Sequence, residues 1–218
     1  MDQMRKMHNE AKRVHIQKNV PVGSLVLDVG CGRGGDLHKW KKCTVLGIDP
    51  DEDSIKEATK RAKECGYTWA TFMHGDIHDA PHMLYDVICY NFSLQYIFKS
   101  EKLFKSTMEN IVSRLRIGGI LMGVVPDSSR IPKKYADSLG NTIERGYYST
   151  NNHQFGNMAI VRLVDGPYYA NGPVPEPLCY KQFLFQVDGL ELENWEKMVP
   201  EHTGLISDIY SKFIFRRV

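Results

Sequence analysis

The chain has 218 residues, 42% of them apolar and 25% charged, with a formal net charge of +2. That length supports one domain with a real core, and the near-neutral balance excludes a protein that grips nucleic acid by bulk charge alone. No apolar run reaches the roughly 18 residues of a membrane span, and the charged start MDQMRKMHNEAKR lacks the apolar centre of a secretory signal, so no membrane partner is expected.

In chain order, residues 3 to 18 form a basic, moderately helical lead-in. A first strand is predicted over Leu25–Val29, then a glycine-rich turn, then a helix from about Gly34 to Lys42. A second strand covers Thr44–Ile48 and ends in Asp49. The next helix starts near Pro50, with Asp51, Glu52 and Asp53 suiting its positive end, and stops near Cys65 before Gly66. Strands follow at about Ala70–Met73 and Tyr85–Tyr90. Leu103, Phe104, Thr107, Met108, Ile111, Val112 and Leu115 recur at helical spacing behind a candidate N-cap, Ser100, and Gly118 and Gly119 close that helix. A fifth strand runs Ile120–Val125, and the alternation of strands and helices implies a parallel sheet.

After Pro126 the rhythm breaks. Residues 127 to 180 are rich in Gly, Pro, Asn and Tyr, with a short strand candidate at Met158–Val164, and so long an irregular insert usually carries function. Phe183–Val187 and Phe213–Arg217 are expected to pair as the last, partly antiparallel strands. The chain therefore reads as a single domain over 1–218, with a lead-in over 1–20 and an insert over about 127–180. The basic clusters (Arg5, Lys6, Lys12 and Arg13; Lys39, Lys41 and Lys42; Arg130, Lys133 and Lys134) read as solvated faces. Five scattered cysteines, never in CxxC, read as free thiols of a reducing compartment, the cytoplasm ahead of the nucleus.

The chemistry concentrates in Leu25–Asp36, LVLDVGCGRGGD. A strand, a glycine-rich turn and a helix are the grammar of a nucleotide-gripping loop in a doubly wound α/β domain. Gly30, Gly32 and Gly35 satisfy GxGxxG, a weak sign of NAD or FAD. Asp28 argues against a dinucleotide, because a carboxylate at the mouth of the loop sits poorly beside a pyrophosphate. It suits a sulfonium and an amino group, which favours S-adenosylmethionine (SAM). Asp49 lies where an acidic group accepts both ribose hydroxyls, and that role is favoured over a helix N-cap, with which the place is also compatible. Asp76 would reach the adenine side, or serve as an ordinary turn aspartate. His74, His78 and His82 have ligand spacing on a helix, but Gly75 and Pro81 interrupt any helix there, so no metal is expected. Asn91, Phe92, Gln95 and Tyr96 follow the fourth strand and face the crevice by the switch-point rule, while Leu94, Ile97 and Phe98 suit the core. Glu176, in VPEPL, could bind the N1–H and N2 edge of guanine or stand as a surface glutamate. Tyr147, Tyr148, Tyr168 and Tyr169 suit stacking or core alike.

Taken together, the motifs resemble the mRNA cap guanine-N7 methyltransferases over most of the chain. VLDVGCGRGGDLHKW is similar to the family's VLDLGCGKGGDLLKW, and HNEAKRVHI to its NNWxKSxLI. SIKEATKRA resembles SIxxAxxRY, NFSLQYIF resembles QFALHYxF, and SRLRIGGILMGVVPDSS follows SRLLKPGGxFIGTIPNA. VPEPL echoes PEY, and ISDIYSKFIF echoes VxxLYxxFxF. The resemblance implies a Rossmann-like class I SAM-dependent methyltransferase with a mostly parallel seven-stranded sheet and a cap-binding insert after strand five. It implies SAM as cofactor, S-adenosylhomocysteine as product and capped RNA (GpppN) as partner. It also implies triphosphatase and guanylyltransferase domains in the same polypeptide or a capping complex, with a large DNA virus as the expected source.

By position, Lys12 would hold the SAM carboxylate, Asp28 and Gly30 the methionyl part, Asp49 the ribose, and Asp76 with Ile77 the adenine. Asn91 stands at the family's SAM-side glutamine. Arg33 and Arg61 would touch cap phosphate or ribose, and Phe92, Gln95, Tyr96, Pro126, Glu176 and Tyr210 would enclose the guanine. Glu176, Gln95 and Tyr210 would orient the cap, with no residue acting as acid or base. The chain departs from the pattern at Gln95, where the family has a cap-facing histidine; Gln can donate to guanine O6 but cannot titrate near neutrality. His8 replaces the first asparagine of the lead-in, and Ile117 the proline before the paired glycines. The rival classes are a SAM enzyme acting on another RNA site or a small molecule, a non-catalytic cap-binding subunit, and an NAD-binding oxidoreductase.

Overall fold

The computed structural model describes residues 3–40, 42–146, 155–164 and 169–218. Five strands, β1 (Leu25–Val29), β2 (Thr44–Asp49), β3 (Ala70–His74), β4 (Tyr85–Asn91) and β5 (Leu115–Pro126), form a parallel core. The apolar runs of β1 and β4 are near-continuous because both faces of the sheet are covered there, whereas the edge strand β3 stays partly exposed. Two later strands, β10 (Leu190–Lys197) and β11 (Tyr210–Arg217), extend it antiparallel beyond β5. The order is β10-β11-β5-β4-β1-β2-β3, a seven-stranded sheet whose direction of winding switches beside β1. One face packs Leu27, Ile48, Ile88, Leu121, Phe213 and Phe215 under α3 (Glu101–Arg114). The other packs Val26, Val45, Val87 and Met122 under Trp40 and Ile16, the latter from α1 (Gln3–Asn19).

The helices obey local signals. In α2 (Glu52–Glu64), Ile55, Ala58 and Ala62 form the buried stripe, and the Asp51 side chain accepts the Asp53 N–H as N-cap. In α3 the Ser100 hydroxyl accepts the Leu103 N–H, as its sequence position predicts.

Three expectations are corrected. Among the described residues the glycine-rich turn is followed by a 3-10 turn, Leu37–Lys39, and by no α-helix before β2, since Gly34 takes φ +69° and Asp36 and Lys39 are drawn inward as a buried ion pair. Phe183–Val187 is not a strand. Lys181–Leu184 forms a short helix, α4, and the edge strand is Leu190–Lys197, which follows the turn at Gly189 (φ +81°). The insert is less irregular than its composition suggests. Strands β6 (Lys134–Ala136), β7 (Thr142–Gly146), β8 (Met158–Arg162) and β9 (Val174–Pro177) build a second, antiparallel sheet. Its Ile143, Ala159 and Val161 pack with Leu178, Val124 of β5, Tyr210 of β11 and Met4 of α1, so the insert closes over the carboxyl end of the main sheet. All five cysteines are free thiols. Among the described residues no helix is long and apolar enough to cross a membrane.

Candidate functional site

The carboxyl ends of β1, β2, β4 and β5 come together at one end of the main sheet, with α1 and the insert packed over them. Gly30 closes β1 at φ +75°, and a Cβ there would lie 2.4 Å from that of Ser93, so only glycine lets β1 and the β4 loop meet. Ser93 Oγ in turn donates to Val29 O at 2.6 Å. Asp49 braces the loop: one oxygen accepts the Gly32 N–H at 2.8 Å, the other the Asp51 N–H at 2.9 Å. A carboxylate offers about four lone-pair sites, so both oxygens keep capacity for ribose hydroxyls. Asp51, rather than Asp49, is the N-cap of α2.

Asp28 is buried beside the loop, and its carboxylate accepts the Trp40 indole N–H at 3.3 Å. Burial and the neighbouring Asp36 raise its pKa to about 7. Asp36 is the unexpected centre of the site. Lys12 donates to both of its oxygens at 2.7 and 2.9 Å, Lys39 to one at 2.6 Å, and the Asn91 amide to the other at 3.1 Å. Burial opposes ionisation of Asp36, but Lys12 and Lys39 overcome it and hold the carboxyl at about 2. Lys12 and Asn91, expected against the cofactor, therefore meet each other through Asp36.

A second constellation adjoins the first. Phe92 adopts φ +62°, a strained value for a side-chain-bearing residue, with its N–H donating to Val124 O at 2.8 Å. Its ring stacks on His8 (centroids 5.6 Å apart, 25° between planes) and meets Tyr210 edge-on at 5.0 Å, and Lys12 lies 5.5 Å over it. Tyr210 sits opposite Pro126 where β11 meets the end of β5. Glu176 reaches in from β9, buried, its carboxylate accepting from the Tyr169 phenol and, at 3.4 Å, from the Gln95 amide. Burial pushes the Glu176 pKa up, against the two donors. Burial, reinforced by Glu176, also pushes the Tyr169 and Tyr210 phenols up.

Of the remaining candidates, Tyr96 lies close enough to Tyr169 to help raise its phenol. Ile77 is buried, and Asp76 uses one oxygen, Oδ1, for the N–H and ring of His78, as a turn aspartate does, which leaves Oδ2 uncommitted among the described residues. Tyr96 is half-buried with Lys99 over its ring, and Arg33 is exposed on the loop. Arg61 pairs with Glu57 nine residues along α2, roughly 14 Å from its start at 1.5 Å per residue. His74, His78 and His82 go to separate partners, Pro50 O, Asp76 and Arg114. Among the described residues no group of three or more His, Cys, Asp or Glu could hold a metal ion. Lys41, Tyr147, Tyr148 and Tyr168 lie outside the described residues. His8 and Asp36 belong to the site without a sequence signal of their own: His8 stands as a departure in the lead-in, and Asp36 falls within the expected helix.

The described groups fit SAM. Asp28 is a buried carboxyl that a cationic group would suit, Asp49 keeps lone pairs beyond its two backbone donors, and the backbone at Gly32 is open, with no atom within 4 Å of a would-be Cβ.

Comparison with known proteins agrees. Residues 1–160 match the family model described as the mRNA (guanine-N(7))-methyltransferase domain. The chain is 35% identical over 147 residues to the mRNA cap guanine-N(7) methyltransferase of Schizosaccharomyces pombe, covering 60% of this chain and 41% of that protein. It is 28% identical over 220 residues to mRNA cap guanine-N(7) methyltransferase 1 of Oryza sativa, covering 91% and 55%. The chain thus spans about half the length of the curated relatives it matches. A SAM-dependent methyltransferase from Clostridium acetobutylicum superposes with a TM-score of 0.67 at 12% identity, covering 97% of this chain and 91% of that one. This likeness establishes the fold, a Rossmann-like class I methyltransferase sheet.

Proposed function

Because the chain belongs to the mRNA (guanine-N(7))-methyltransferase domain family, we propose that it transfers the methyl of SAM to N7 of the guanine in a GpppN cap. The observation that carries this reading is the second constellation. A buried carboxylate, Glu176, adjoins two aromatic walls, Phe92 and Tyr210, next to the loop crevice.

SAM supplies a methyl group already activated on a sulfonium. Guanine N7 has a free lone pair and no proton to lose, so N7–CH₃ forms as S–CH₃ breaks, and no residue need accept a proton. The protein's contribution is to hold N7, methyl and sulfur in line, an effect worth up to roughly 7–11 kcal/mol in favourable intramolecular cases. As the purine gains positive charge, Glu176 on its N1/N2 edge favours the transition state. Asp49 would take the ribose hydroxyls, and Asp28 the cationic methionyl end. The acceptor must come from guanylyl transfer onto a diphosphate-ended RNA, by further domains of the polypeptide or a capping complex. The two named relatives are a fungal and a plant protein, and a viral source has no support among them.

The division of the site is testable with two variants. Glu176→Ala should lower kcat/KM on capped RNA by about a hundredfold or more, with SAM affinity within about twofold of wild type. Asp49→Ala should weaken SAM binding first. A parallel loss of SAM affinity in Glu176→Ala would contradict the assignment.

A further inference from the structure

Gln95 is buried to 2% exposure in the 3-10 turn Leu94–Lys99. Its amide nitrogen donates to Phe92 O at 2.9 Å and, more weakly, to Glu176 Oε2 at 3.4 Å. Both partners are acceptors without a proton to give while Glu176 is ionised. A flipped amide would face oxygen with oxygen, so the network fixes which end is nitrogen. Two consequences follow. Both amide protons are engaged within the protein, so the side chain has none left for guanine O6. Its oxygen, Oε1, is fully buried and has no donor within hydrogen-bond reach among the described residues. A buried acceptor without a donor is costly, and at a ligand site a donor on the ligand would satisfy it.

We propose that Gln95 selects guanine by accepting a hydrogen bond from its exocyclic N2 amine. This rests on the reading of the pocket as a guanine site. Glu176 commits one oxygen to Tyr169 and keeps the other, weakly held by Gln95, for a ligand. The protein thus offers acceptors on two contacting side chains, Glu176 Oε2 and Gln95 Oε1. Guanine presents donors along one edge, N1–H and the N2 amine. Adenine presents an acceptor at N1, and hypoxanthine lacks the N2 amine, so either would leave a buried acceptor unpaired. The hydrogen bonds to Phe92 O and Glu176 lock Gln95 as an acceptor toward the base. It reads the amine and leaves O6 alone.

The experiment compares RNA capped with GpppA and with its inosine counterpart, IpppA, using the full chain and scoring N7 methylation. Wild type should prefer the guanosine cap by about a hundredfold in kcat/KM. Gln95→Met, which keeps the volume and removes the acceptor, should reduce that preference about tenfold, the rest being held by Glu176. Gln95→Leu should do the same and serves if the methionine variant fails to fold. A wild-type preference within about threefold overturns the proposal. So does a variant that slows both caps equally and leaves the ratio unchanged, which is the behaviour of a purely structural glutamine. If GpppA is methylated but the ratio does not respond, only the role of Gln95 fails. If GpppA receives no N7 methyl at all, the guanine reading fails with it.

Discussion

Asp28 and Asp36 share one buried pocket and titrate in opposite directions, Asp28 raised to about 7 and Asp36 held at about 2. Lys12 and Lys39 contact Asp36 directly, whereas Asp28 receives only an indole N–H. For Asp28, folding raises the pKa from 3.8, so its contribution favours the folded state most below the unfolded value and is lost as pH rises through about 7. For Asp36 the sign reverses: its contribution is present above 3.8 and lost as pH falls through about 2. A cationic methionyl group beside Asp28 would favour the carboxylate, so SAM binding near pH ~6 should release up to about one proton. Calorimetry in two buffers of different ionisation enthalpy measures this directly, and Asp28→Asn should show no such release. Wild-type binding at that pH without proton release would rule out Asp28 as the cation's partner.

At the scale of elements, α3 gives the cleanest test of a local rule. Ser100→Ala removes the side-chain acceptor for the Leu103 N–H and should cost about 1 kcal/mol, lowering Tm by about 2–4 °C without moving SAM affinity. An unchanged melting curve would mean that packing of Phe104, Met108 and Ile111 alone positions the helix. Elements of this kind were legible in the sequence because their determinants are local: a cap, a 3.6-residue stripe, or an apolar run covered on both faces. The elements that were not legible depend on distant partners. The turn at Leu37–Lys39 forgoes a helix because Lys39 is pulled inward to Asp36 and to Asn9 of α1. Strand β10 (LELENWEK) is an acidic edge strand with a register shift between Leu192 and Asn194, and only its pairing with β11 reveals it. The insert's four strands are short, and each is defined by its neighbour.

At the scale of the whole molecule, the parallel sheet supplies the loop, Asp28, Asp49 and Phe92, while β11, β9 and α1 bring Tyr210, Glu176 and His8 over it. The resemblance named most of these residues in advance. It did not show that Lys12 and Asn91 converge on Asp36, that His8 stacks on Phe92, or which way the Gln95 amide points. Each of those facts joins segments far apart in sequence. These segments are proposed to form one two-substrate site for methyl transfer to a cap guanine. The decisive measurement incubates the chain with SAM labelled in its methyl group and GpppA-capped RNA, then digests the RNA to nucleosides. Label should appear in 7-methylguanosine and be lost in Glu176→Ala; label at any other position, or none with intact SAM binding, would overturn the proposal.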